Sequence, residues 1–213
     1  MSKTDPNFGK CVTPVHIASY VNFLKPVAFK RNGKETGTPK YGYTGLYSED
    51  IKAMKDVAIA VARAKWGDDV DLKTVRFPFK NGDKEADRLV NHKETSKRKP
   101  EAQVALLRGK TIVKASSQFK PDVSEFVKGN PEPVEIIDAN KIYSGMLGRA
   151  ELNFVAQGIE EDGEEKKFVT AYINFFLKTG DGQRIGGRDR KSVFSGVMGG
   201  ESNTDVTDDD IDY

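Results

Sequence analysis

The chain has 213 residues, 37% of them hydrophobic, which is material for one core and the appendages of a single domain; no apolar run is long enough to span a membrane. The opening MSKTDPNFGK holds no signal-type apolar stretch, so no secretory signal is expected, and the lone Cys11 excludes an internal disulfide and suits a reducing compartment. The net charge of +2 conceals an asymmetry: residues 201–213 carry six acids and no base, so the other 200 residues set 34 bases against 26 acids, a net of +8, and a basic body of this kind suits nucleic acid, an anionic surface or an acidic partner.

In chain order, VHIASYVNF (15–23) alternates with period two and predicts a strand with Val15, Ile17, Val21 and Phe23 on one side. YGYTGLY (41–47) reads as a Tyr/Gly strand. SEDIKAMKDVAIAVARAKWG predicts the main helix, over about 49–66. Ser48 is a suitable N-cap, Ile51, Met54, Ala58, Val61 and Ala62 form one apolar face, and Gly67 sits where a helix ends. Residues 80–103 are charged and poorly periodic and read as a long loop, whose HKETSKRKP carries Lys93, Lys97, Arg98 and Lys99. KTIVKASS (110–117) is a further strand. MLGRAELNFVAQG and KFVTAYINFFLK flank the turn-forming IEEDGEEK and predict a long β-hairpin. Many short strands with one helix predict a mostly antiparallel sandwich or small barrel.

The hairpin is the most informative piece. Strict alternation puts Val169, Ala171, Ile173, Phe175 and Leu177 on one face, and Phe168, Thr170, Tyr172, Asn174, Phe176 and Lys178 on the other. In the first strand Ala150, Leu152, Phe154 and Ala156 are apolar, opposite Arg149, Glu151, Asn153 and Gln157. A face mixing rings with cations is what a single nucleic-acid strand requires, because rings stack on unpaired bases while cations follow the phosphates. The alternative is that this face is covered, by the helix or by a second copy in a homodimer.

Motifs for catalysis fail. His16 and His92 are the only histidines, and neither has a cysteine at metal-binding spacing, so no metal, cofactor or catalytic residue is expected. RGKT (108–111) would complete a phosphate-binding loop only with glycine at 104, where Val104 stands. GDGQRIGGRDR follows a strand without opening a helix and reads as a turn.

YGYTGLYSEDIKAMKDVAIAVARAKWG, FPFKNGDKEAD, KASSQFKPDV and IYSGMLGRAELNFVAQG occur in an order and spacing that resemble the phage single-stranded DNA-binding proteins, over most of residues 12–198. The resemblance implies an OB-type barrel over 1–198 with one main helix and a long hairpin, binding single strands across its open sheet face. The tail ending DDDIDY is similar to the acidic tip of bacterial single-strand binding proteins, Asp-Asp-Asp-Ile-Pro-Phe, with Asp212 in place of the proline and Tyr213 in place of the phenylalanine. A disordered acidic tail over 199–213 is expected. Its Asp208, Asp209, Asp210, Ile211, Asp212 and Tyr213 would recruit a replication or recombination partner, a polymerase, helicase or nuclease.

The expected role is therefore a non-enzymatic, sequence-nonspecific single-stranded DNA-binding protein of phage replication, recombination or repair, in the cytoplasm of an infected host. The expected stacking residues are Tyr41, Tyr43, Phe77, Phe119, Tyr172 and Phe176, and the expected phosphate contacts are Lys80, Lys114, Lys120 and Arg149. A strand-annealing recombination mediator, a phage structural or assembly protein, and an enzyme with an unrecognised site are the alternatives.

Overall fold

The computed structural model describes residues 8–31, 34–91, 101–161 and 163–185. The basic loop HKETSKRKP and the acidic tail lie outside the described residues. The strands are β1 (Phe8–Val12), β2 (His16–Arg31), β3 (Lys34–Tyr47), β4 (Phe79–Asn81), β5 (Thr111–Ser117), β6 (Asp122–Glu125), β7 (Val134–Glu135), β8 (Leu147–Glu161) and β9 (Glu164–Gly180). The helices are α1 (Lys52–Trp66), α2 (Gly82–Asn91) and α3 (Glu101–Leu107). The chain is thus mostly β, as expected, but the sheet is mixed: β9 runs parallel to both β5 and β6. The pairings return on themselves, from β8 to β2, β3, β5, β9 and back to β8. β1 adds outside β8, β6 and β7 outside β9, and β4 pairs with β5.

The helix α1 keeps its predicted apolar face, with Met54, Ala58, Val61 and Ala62 buried against β1, β8 and β9. It begins at Lys52 rather than near 49, because the Asp50 carboxylate accepts from the Lys52 amide at 2.9 Å while the Ser48 hydroxyl faces Lys110 Nζ at 3.3 Å. Gly9 lets this helix approach the sheet: a Cβ there would stand 2.5 Å from Val57 and 2.7 Å from Val61.

The core packs Phe23, Tyr43, Tyr47, Met54, Met146, Leu152, Phe154, Ile173 and Phe176. Buried among them, the His16 ring stacks on Tyr47 at 4.5 Å and on Tyr43 at 5.3 Å. Its Nδ1 donates to the Pro14 carbonyl at 3.0 Å, which leaves Nε2 as a bare acceptor without a partner. Burial pushes the imidazole pKa down to about 4, against a smaller upward pull from the Pro14 hydrogen bond.

Residues 80–103 are not one long loop: α2 and α3 occupy both ends of the stretch. Asn81 Oδ1 accepts from the Lys84 amide at 2.9 Å and caps α2. A small second cluster of Leu46, Ala86, Leu107 and Ile112 fixes both helices on the outer side of β3 and β5.

The hairpin corrects the alternation. Leu152 pairs with Ile173, but Glu151 pairs with Phe175 and Ala150 with Phe176, so Asn174 is an extra residue on β9. This bulge inverts the two faces beyond it. Phe176 and Lys178 turn inward and are buried, while Phe175 and Leu177 are only half-buried. A similar irregularity in β2 buries His16, Ala18 and Phe23 instead of a strict odd-numbered row.

Candidate nucleic-acid interface

The register of β3 on β5 builds a polar floor. Gly42 faces Ser116 and Thr44 faces Lys114, on the side opposite the buried Tyr43 and Ala115. A Cβ at Gly42 would stand 2.5 Å from the Ala115 carbonyl, so glycine is what lets the two strands meet here. Helices α2 and α3 border this floor, and residues of β2 and the start of β3 border it too, forming an open groove of about 1080 Å³.

Among the described residues four cations line the groove, Lys40, Lys80, Arg88 and Lys114, against the single carboxylate of Glu85. Arg88 donates to Glu85 at 2.6 Å through Nη2 and at 3.3 Å through Nε. That hydrogen bond chiefly holds the Glu85 carboxyl below the usual range, with the charges of Arg88, Lys80 and Lys114 adding to it. Lys40, Lys80 and Lys114 make no ion pair among the described residues, so the groove keeps an excess of positive charge.

The floor continues onto β9. Ala115 pairs with Ala171, and both point into the core, so Thr170 and Tyr172 share the outward side with Lys114 and Ser116. Tyr172 is half-buried and its hydroxyl accepts from Gln157 Nε2 at 3.0 Å. Asn174 donates to Glu151 at 3.0 Å on the same strand pair.

The expected site residues separate into groups. Tyr41, Lys80 and Lys114 line the groove, and Tyr172 lies on the adjoining face. Phe77 is half-buried, packed on the core with its ring 6.4 Å from Phe79. Phe119 is 82% exposed but outside the groove, and Lys120 and Arg149 are likewise exposed outside it. Tyr43 and Phe176 are core residues, 4% and 0% exposed, so neither ring has a face to offer a base. For Phe176 the cause is the bulge at Asn174; for Tyr43 it is the inward side of β3, where its ring meets Phe23 and Phe176. Sequence reading passed over Lys40, Arg88, Tyr20 and Gln103, all of which line the groove. Lys40 directly precedes the Tyr/Gly strand, a usable signal, whereas Arg88 and Gln103 sat in the stretch read as loop.

A family model described as "Enterobacter phage Enc34, ssDNA-binding protein" matches residues 10–209. The chain belongs to this family. It is similar to the solved C-terminally truncated single-stranded DNA-binding protein of bacteriophage Enc34, at 21% identity and TM-score 0.55, over 86% of this chain and 95% of that one. The same phage protein in complex with ssDNA aligns at 19% identity and TM-score 0.54, over 87% and 97% of the two chains. A further structure of the single-stranded DNA-binding protein from bacteriophage Enc34 aligns at 20% identity and TM-score 0.52, over 90% and 95%. No curated protein sequence matches. At these identities the structural likeness concerns the fold, and membership of the Enc34 ssDNA-binding family rests on the family model.

Proposed function

We propose that this chain binds single-stranded DNA without sequence preference, along the groove over β3, β5 and β9. The observation that carries the reading is the groove itself: four cations against one carboxylate among the described residues, on a sheet floor that runs on to Tyr172, in a member of this family. Phosphate contact supplies sequence-independent affinity through released counterions. Tyr41 and Tyr172, with Phe77 and Phe119 farther out, are the rings for stacking. Lys80 and Lys114, joined by Lys40, and Lys120 and Arg149 beyond the groove, are the phosphate contacts. The ring of five paired strands supports an OB-type barrel over residues 1–198.

The role is non-enzymatic: protection of single strands during phage replication or recombination in the host cytoplasm, with residues 199–213 as an acidic tail that recruits partners. The last described residues, up to Ile185, lie near the groove, which supports a tail tethered within reach of it. The Tyr143 ring is flanked by Arg184 at 4.1 Å and Lys178 at 5.2 Å, and its hydroxyl donates to Asp181 at 2.8 Å. The Ile185 amide donates to the Ser144 carbonyl, and the Ser144 hydroxyl accepts from Val21, beside the groove residues Tyr20 and Asn22.

A titration with a labelled oligonucleotide tests the reading, run in parallel with duplex and with RNA. Tight binding to single strands and weak binding to duplex are expected. With roughly four phosphates neutralised, log K should fall against log salt with a slope near −3. Equal affinity for duplex, or an affinity indifferent to salt, overturns the proposal.

A further inference from the structure

Strand β2 carries a defect at the groove that the phosphate contacts do not explain. Ser19 pairs with Thr44 and Asn22 with Gly42, so β2 spends three steps where β3 spends two, and one extra residue is squeezed out. At this point Tyr20 has a φ of +49°, and it is the one non-glycine residue with positive φ among the described residues. A left-handed backbone is costly for a residue with a bulky side chain, and glycine or asparagine would fill the position more cheaply.

The strain does not serve the core. Ser19 beside it is buried, but Tyr20 is 62% exposed, a large ring held out at the groove. Its hydroxyl accepts from Gln103 Nε2 of α3 at 2.5 Å, so the side chain is tied to the helix on the other border of the groove. A ring tied at its polar tip keeps both faces available while losing little freedom on contact with a ligand.

We propose that Tyr20 is a nucleobase-stacking residue, positioned by the β2 bulge and steadied by Gln103. The ligand is an unpaired base of a strand whose phosphates lie on the groove cations Lys40 and Lys114. The proposal rests on the single-strand reading of this groove and adds a ring to it that strand alternation does not point to. A base within a duplex presents no free face, so this contact also contributes to rejection of duplex.

Two substitutions separate ring from hydroxyl. Tyr20→Asn removes the ring and tolerates the left-handed backbone, so the thermal midpoint should hold or rise. Tyr20→Phe keeps the ring and loses the tie to Gln103. With labelled oligo-dT, Tyr20→Asn should weaken binding about 5- to 150-fold, the range for one stacked base. Its line of log K against log salt should run parallel to wild type, because no phosphate contact is lost. Tyr20→Phe should stay within about threefold. Wild type that binds while Tyr20→Asn matches it within twofold overturns the stacking role alone, as does a Tyr20→Phe loss equal to that of Tyr20→Asn or a salt slope shallower by about 0.7 in Tyr20→Asn. Wild type that fails to bind single strands overturns the groove reading, and this proposal with it.

Discussion

Lys114 projects from β5 into the groove, faces Thr44 across the strand pair and makes no ion pair among the described residues. Its charge is felt instead by the Glu85 carboxyl. Replacing Lys114 with alanine should weaken single-strand binding and make the salt slope shallower by about 0.7, one phosphate's share, with no change in the thermal midpoint. His16 is the reverse case, a titratable group used for packing. Well above pH 6.5 neither the folded nor the unfolded imidazole is protonated. Below it the unfolded chain takes up a proton that the folded ring refuses until about pH 4. Stability should therefore fall as pH drops through that window, by up to roughly 3 kcal/mol, and be level above it. Urea unfolding of wild type and His16→Gln at pH 7.5 and pH 5 checks this: the variant should show a smaller difference between the two.

At the scale of one strand, the bulge at Asn174 decides which of two adjacent phenylalanines belongs to the core. Alternation carried through β9 points Phe175 inward, whereas the structure buries Phe176 and leaves Phe175 half-buried. Phe176→Ala should cost about 3–5 kcal/mol of stability, and Phe175→Ala clearly less, as denaturant midpoints will show. Strong periodicity made α1 and the hairpin legible: Met54, Ala58, Val61 and Ala62, and Ala150, Leu152, Phe154 and Ala156, are buried as their spacing predicts. What failed were local departures from periodicity. A single extra residue exchanges the faces of a strand, and no composition signal marks Asn174 as that residue. Helix α2 is hard to read from sequence because its buried side is narrow, Gly82 and Ala86 with half-buried Leu89, and most of the rest is charged. The groove inherits both outcomes. Lys80, Lys114 and Tyr41 were legible from strands that pair as read, while Arg88 and Gln103 became visible only once α2 and α3 were folded onto β3 and β5.

For the molecule as a whole, charge is split between a body of +8 and a tail carrying six acids. The tail is tethered to the body that carries the groove, and a tethered anion competes with phosphate at high effective concentration. Deleting residues 201–213 should therefore raise single-strand affinity, more at low salt than at high, because screening weakens the competition. Tyr213→Ala keeps the charge and should leave affinity unchanged while impairing partner capture. Unchanged or weaker binding by the truncated protein at low ionic strength counts against competition. The ring of strands has a further consequence for how the molecule moves. β3 and β5 are laced together from Tyr41 to Tyr47, but β5 and β9 meet through one register pair, Ala115 with Ala171. The groove floor straddles that sparsely paired joint, with Lys114 and Ser116 on one bank and Thr170 on the other. A ligand strand lying across both banks binds only the closed form, and its binding free energy is added to that seam. Loading then stiffens the protein across a joint that its own strands fasten at a single register pair.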